Sequence, residues 1–170
     1  MRHGVVSRTI LATGGIAHVA RVPAGALIRP ENMSISVLLC DDLPSVQGML
    51  RRMMERGGLT VSGMASTAPE VLERYAEQRP DIVLLDYRMP GAKGLSVLHD
   101  LLAFDPGARV VMCSGTGDPD VRTQALGAGA ADWVLKPIYP QTLITLLRDV
   151  VERTPRSNTS NTADARPPVA

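Results

Sequence analysis

Ile82-Val83-Leu84-Leu85-Asp86, running on into Tyr87-Arg88-Met89-Pro90, decides how this chain folds. Four consecutive β-branched or Leu residues without a polar interruption read as a strand buried on both faces, the pattern of a central strand in a parallel sheet. Three other runs share that form. Ser36-Val37-Leu38-Leu39-Cys40 leads into Asp41-Asp42, Val110-Val111-Met112-Cys113 into Ser114, and Trp133-Val134-Leu135 into Lys136-Pro137. In open parallel sheets the ligand crevice lies beyond the carboxyl ends of the strands. Three carboxylates, a hydroxyl and an ammonium are therefore expected to meet at one edge.

The segments between these runs carry helical signals. Pro44 opens a first helix with Val46, Met49, Leu50 and Met53 at the three-and-four spacing of one apolar face. A further strand spans Thr60 to Ala65, and Thr67-Ala68-Pro69-Glu70 reads as a capping box opening the second helix, which ends before Pro80. The third helix runs from about Leu95 to Ala103 and turns at Asp105-Pro106-Gly107. Asp118 caps the fourth, with Pro119 at its first position and an end near Gly127-Ala128-Gly129. The fifth follows Pro140 with the stripe Leu143, Ile144, Leu146, Leu147, Val150 and Val151.

From about Met33 to Arg153 the chain resembles the response-regulator receiver domains of bacterial two-component signalling. The resemblance rests on Asp41-Asp42, on Asp86-Tyr87-Arg88-Met89-Pro90 with Gly94, on Ser114-Gly115 and on Lys136-Pro137, in that order and at strand ends. It implies an α/β, flavodoxin-like fold: a doubly wound five-stranded parallel sheet of order 2-1-3-4-5 with five helices. It implies that Asp86 is the phosphoacceptor and that Asp42, Asp86 and the backbone carbonyl of Arg88 hold Mg²⁺ or Mn²⁺, with Asp41 reaching the ion through water. Lys136 is implied as a point charge on the phosphoryl oxygens, and Ser114 as the hydroxyl that engages phosphate and starts the switch. Trp133 stands where the family usually places a movable Tyr or Phe, on the surface made with the fourth and fifth helices, and the Lys136-Pro137 peptide is implied to be cis.

The physical chemistry of the residues agrees with that reading. Phosphoryl transfer passes through a loose transition state and needs an acceptor, a cation clamp and little else. Two carboxylates about 5 Å apart at an effective dielectric near 20 repel by on the order of 3 kcal/mol. A divalent ion removes the conflict, and an all-oxygen donor set suits Mg²⁺ or Mn²⁺ rather than zinc. Arg88 borders the pocket, as a phosphate contact or as an exposed loop cation.

Composition sets the remaining bounds. The 170 residues suit one domain with tails and are too few for a second folded output module. Residues 1–33 carry a charge of +3, residues 34–153 carry −3 and the tail +1. An acidic core argues against a nucleic-acid surface. The leader, 1–33, reads as a disordered arm or an untranslated extension, its apolar stretch Thr9 to Ala20 being too short to span a bilayer. The tail, 154–170, is rich in Thr, Pro, Ser, Asn and Ala and reads as disordered. In the implied strand order Cys40 and Cys113 lie two strand spacings apart, about 10 Å, too far for a disulfide and consistent with a reducing cytoplasm.

The expectation is a stand-alone receiver that takes a phosphoryl group from a sensor histidine kinase or a histidine phosphotransfer protein. It would pass the signal to an effector protein through the fourth helix, fifth strand and fifth helix. It would be a phosphoacceptor rather than an enzyme, beyond self-phosphorylation from small donors and autodephosphorylation, with no DNA or membrane partner. Two alternatives stand beside it: a phosphorylation-independent adaptor, and a flavodoxin-like binding module, whose flavin phosphate the Asp41-Asp42 loop would repel.

Overall fold

The strand read as central is central. In the computed structural model, which describes residues 34–154, β3 (Ile82–Asp86) is buried at every residue. It lies between β1 (Ser36–Cys40) and β6 (Val110–Ser114); β2 (Thr60–Ala65) and β7 (Asp132–Leu135) form the edges. All four pairings are parallel and give the order β2-β1-β3-β6-β7. This is the expected 2-1-3-4-5 arrangement. The expectations for residues 1–33 and for the tail beyond Thr154 lie outside the described residues. Thr154 itself is held, its carbonyl accepting from Arg109 Nε at 2.5 Å.

Alternation along the strands divides the core into two layers. Leu38, Cys40, Val83, Leu85, Val110 and Met112 pack on one face against α2 (Ala68–Gln78), α3 (Gly94–Phe104) and α4 (Pro119–Gly127). Val37, Leu39, Ile82, Leu84, Val111 and Cys113 pack on the other against α1 (Pro44–Arg56) and α5 (Pro140–Arg153). The two cysteines are therefore buried, free and on opposite faces of the sheet. No helix among the described residues is long and apolar enough to cross a membrane.

Four local features depart from the sequence reading or add to it. The buried stripe of α1 is Gln47, Leu50 and Met54, while Met49 is 37 % exposed; the helix is rotated so that a glutamine replaces a methionine on its inner face. The box at α2 is displaced by one residue. Glu70 accepts from the backbone N–H of Ser66 at 2.8 Å, and the Thr67 side chain makes no capping bond. Trp133 keeps its expected place on the last strand and is 9 % exposed, its ring turned into the core layer that holds Ala125 of α4. Finally, a two-stranded ribbon, β4 (Arg88–Met89) and β5 (Ala92–Lys93), separates β3 from α3. Its turn is Pro90-Gly91 with Gly91 at φ +78°, which matches a type II turn. The cap of α4 is as read, Asp118 Oδ1 accepting from Asp120 N at 2.9 Å.

Candidate functional site

Each strand that ends at the site delivers its residue by the rules that make it a strand. β1 leaves Asp41 at its end, tied to the neighbouring strand by Asp41 N–H donating to Ala65 O at 3.1 Å. β3 ends on Asp86, in register with Cys113. The next residue stays in the sheet, with Tyr87 N–H donating to Cys113 O at 2.8 Å. Behind it, Gly94 has no alternative: a Cβ there would stand 2.6 Å from Asp86 O and 2.8 Å from Tyr87 Cα. The glycine lets α3 begin directly under the loop that carries Asp86.

Lys136 closes the site. Its Nζ donates to Asp41 Oδ2 and to Asp86 Oδ1, each at 2.7 Å. Two such bonds to one nitrogen bring the carboxylate oxygens of β1 and β3 within about twice that distance of each other. Asp41 is only 2 % exposed, whereas the lysine side chain is a quarter exposed. Buried carboxylates need a counter-charge and hydrogen bonds, and both have them: Asp41 Oδ1 accepts from Leu43 N at 2.9 Å, and Asp86 Oδ2 from Arg88 N at 2.9 Å. Burial alone would lower the pKa of the Lys136 ammonium; the hydrogen bonds to Asp41 and Asp86, with the charge of Asp86, outweigh it and hold the value above that of an ordinary lysine. The Lys136-Pro137 peptide is cis, as expected.

Ser114 joins the group through the backbone. Its carbonyl accepts from Lys136 N at 2.7 Å. Its hydroxyl is buried at the end of β6 and accepts from Thr116 N at 3.1 Å, with no hydrogen bond to Asp86. An Oγ that accepts one bond keeps its own O–H to donate elsewhere. Arg88 is exposed, and its Nη2 would lie 3.8 Å from a Cβ on Gly115, so the guanidinium leans across the mouth of the site toward the residue after Ser114. Trp133 is not at the mouth. Its ring lies beside that of Tyr87, centroids 6.0 Å apart, one residue from the phosphoacceptor candidate.

The expected ligands Asp42 and Asp86 follow and end the adjacent strands β1 and β3, with Arg88 two residues beyond Asp86. Among the described residues no three His, Cys, Asp or Glu side chains gather closely enough to hold an ion on their own. Lys136 holds Asp41 and Asp86, while Asp42 is half-buried with no hydrogen-bond or ion-pair partner among the described residues. The donor chemistry still suits Mg²⁺, which characteristically takes one or two carboxylates, keeps several waters and avoids all-protein cages. Asp42 and Asp86, with the Arg88 carbonyl, would hold it. Gln47 and Tyr87 were not singled out by sequence reasoning. The one available signal for Gln47 was a polar residue three before Leu50 and seven before Met54 on the same helical stripe.

Comparison with known proteins agrees with this geometry. Residues 37–148 match the response regulator receiver domain. The chain is 33 % identical over 118 residues to the chemotaxis protein CheY of Thermotoga maritima, covering 69 % of this chain and 98 % of that one. Among solved structures, the signal receiver domain of the putative response regulator NarL from Mycobacterium tuberculosis is 30 % identical with a TM-score of 0.66, covering 70 % of this chain and 97 % of that one. A chain of the CheX-CheY-BeF3-Mg²⁺ complex from Borrelia burgdorferi is 27 % identical with a TM-score of 0.66, covering 68 % and 88 %. With its sheet order, its strand-end aspartates and its lysine clamp, the chain belongs to the response regulator receiver domain family.

Proposed function

We propose that Asp86 accepts a phosphoryl group from a phosphohistidine on a kinase or phosphotransfer protein, in a Mg²⁺- or Mn²⁺-dependent step. The observation that carries this reading is the shared lysine: one ammonium donates to Asp86 and to the neighbouring strand's Asp41 at the same 2.7 Å. An Asp86 oxygen attacks phosphorus, the O–P bond forms as the P–N bond breaks, and the imidazole leaves with its electron pair. The bound cation supplies neutralisation of charge on the phosphoryl oxygens. Lys136 changes partner from Asp86 to a phosphoryl oxygen, and the free O–H of Ser114 donates to another. That last contact exists only after transfer, which is the differential interaction a two-state switch requires.

Output is by protein contact. Leu126 on α4, Leu135 on β7 and Tyr139 before α5 are exposed large apolar side chains, and they support an effector surface on α4, β7 and α5. The setting is cytoplasmic, where buried thiols stay reduced and kinases are at hand. The protein is a phosphoacceptor whose only catalysis is its own phosphorylation from small donors and its own dephosphorylation. The test is incubation with acetyl phosphate and intact-mass measurement. One added phosphate is expected with Mg²⁺ and none with a chelator; labelling that ignores the metal overturns the reading.

A further inference from the structure

Gln47 is a polar side chain on the buried stripe of α1, 8 % exposed, on the face it shares with Leu50 and Met54. Its Nε2 donates to Asp41 O at 2.7 Å and to Ala65 O at 3.0 Å, with Ser66 Oγ at 3.2 Å. Both nearest partners are carbonyl oxygens, which only accept, so the orientation of the amide is fixed by its surroundings. Ala65 O accepts from Asp41 N as well. Gln47 thus fastens the ends of β1 and β2 at the point where their ladder stops, at the pair Cys40 and Ala65.

The location of the shorter bond matters more than its strength. The carbonyl of Asp41 belongs to the peptide that joins Asp41 to Asp42, so holding it sets the direction in which Asp42 leaves the strand. Every other polar atom of Asp41 is also engaged: N–H by Ala65, Oδ1 by Leu43 and Oδ2 by Lys136. Asp42 alone has no partner among the described residues, and its aim depends on that anchored peptide. A core filler would need none of this. An apolar side chain would pack on Leu50 and Met54 at lower desolvation cost.

We propose that Gln47 is a positioning residue for the divalent cation: it acts through the Asp41 carbonyl to aim the Asp42 carboxylate. This rests on the reading of the edge as a Mg²⁺-dependent phosphoacceptor site. Residues that orient metal ligands from behind are worth about 10- to 100-fold in affinity.

The test is Mg²⁺ titration by calorimetry of wild type, Gln47→Met, which keeps length and loses both donors, and Gln47→Arg, which keeps donors. Wild type is expected to bind, Gln47→Met to bind at least tenfold more weakly, and Gln47→Arg to recover most of the affinity. Equal affinity in wild type and Gln47→Met overturns the positioning role and leaves the site reading intact; no binding by wild type overturns the site reading itself. If Gln47→Met fails to fold, the wild-type protein decides. The side-chain amide resonances of Gln47 should shift with Mg²⁺ at the same midpoint as the backbone amide of Asp42, and side-chain resonances unmoved at saturation overturn the proposal.

Discussion

Lys136 stands between two carboxylates that water barely reaches, and its removal exposes what it was balancing. In Lys136→Met the like charges of Asp41 and Asp86 are left facing each other, so a divalent ion becomes the available counter-charge. The expected outcome is a larger Mg²⁺-induced rise in melting temperature than in wild type; an equal rise would show that the lysine and the ion do not share the site. The pH dependence follows from the direction of its shift. A folded pKa above the ordinary 10.5 means that the stabilisation is complete below that value and is lost as pH climbs from it through the higher folded value. Alkaline titration should therefore show a loss of stability in wild type that Lys136→Met lacks. Cys113 gives a second residue-scale test. Burial, opposed by Lys136 and helped by Asp86 and Asp41, pushes its thiol up to about 12, and burial raises Cys40 as well. Since the thiolate is the nucleophile, neither should react with Ellman's reagent at pH 8 until the protein unfolds; prompt native labelling would contradict the packing described for both.

Among the elements, three of the four apolar strand runs were legible because burial on both faces leaves an uninterrupted signature, the edge run at Trp133 being only partly buried, and each was found where its residues place it. The site residues were legible for the same reason, since a parallel sheet delivers all strand ends to one edge. What escaped was decided by tertiary packing. Helical spacing alone admits several rotations of α1, and the one adopted is selected by Gln47 reaching two carbonyls, information held on β1 and β2 rather than in the helix. The ribbon β4–β5 has only two residues per strand, too short for any periodicity, although Pro90-Gly91 marked its turn. Trp133 occupies an edge strand, where either an exposed or an inward ring satisfies the sequence. Tyr87 and the core beside α3 and α4 take it inward. Trp133→Ala should accordingly cost about 3–5 kcal/mol, read from denaturant midpoints at unchanged slope. A loss below about 1 kcal/mol would return the indole to the surface.

On the scale of the molecule, residues 34–154 supply both core layers and every group of the site, each strand and helix covered by another element of the same segment. Deleting residues 1–32 is therefore expected to move the melting temperature by less than about 4 °C, roughly 1 kcal/mol for a domain of this size; a larger drop in paired melts would show that the leader packs on the fold. The same segment places its chemistry at one end of the sheet. At the other, the buried Asp81 and Arg109 fasten the start of β1 and the residue that follows α5, Ser36 N and Oγ donating to Asp81 Oδ2 at 2.9 Å and Arg109 to Thr154 O. The domain is thus anchored at one edge and reactive at the other. The central claim, that Asp86 is where phosphate is carried, is tested by treating the acetyl phosphate-labelled protein with borohydride, which reduces an acyl phosphate to an alcohol. Peptide mass mapping should then find residue 86 converted to homoserine and no other aspartate changed, with no conversion in Asp86→Asn. Homoserine at residue 41 or 42, or undiminished labelling of Asp86→Asn, would contradict it.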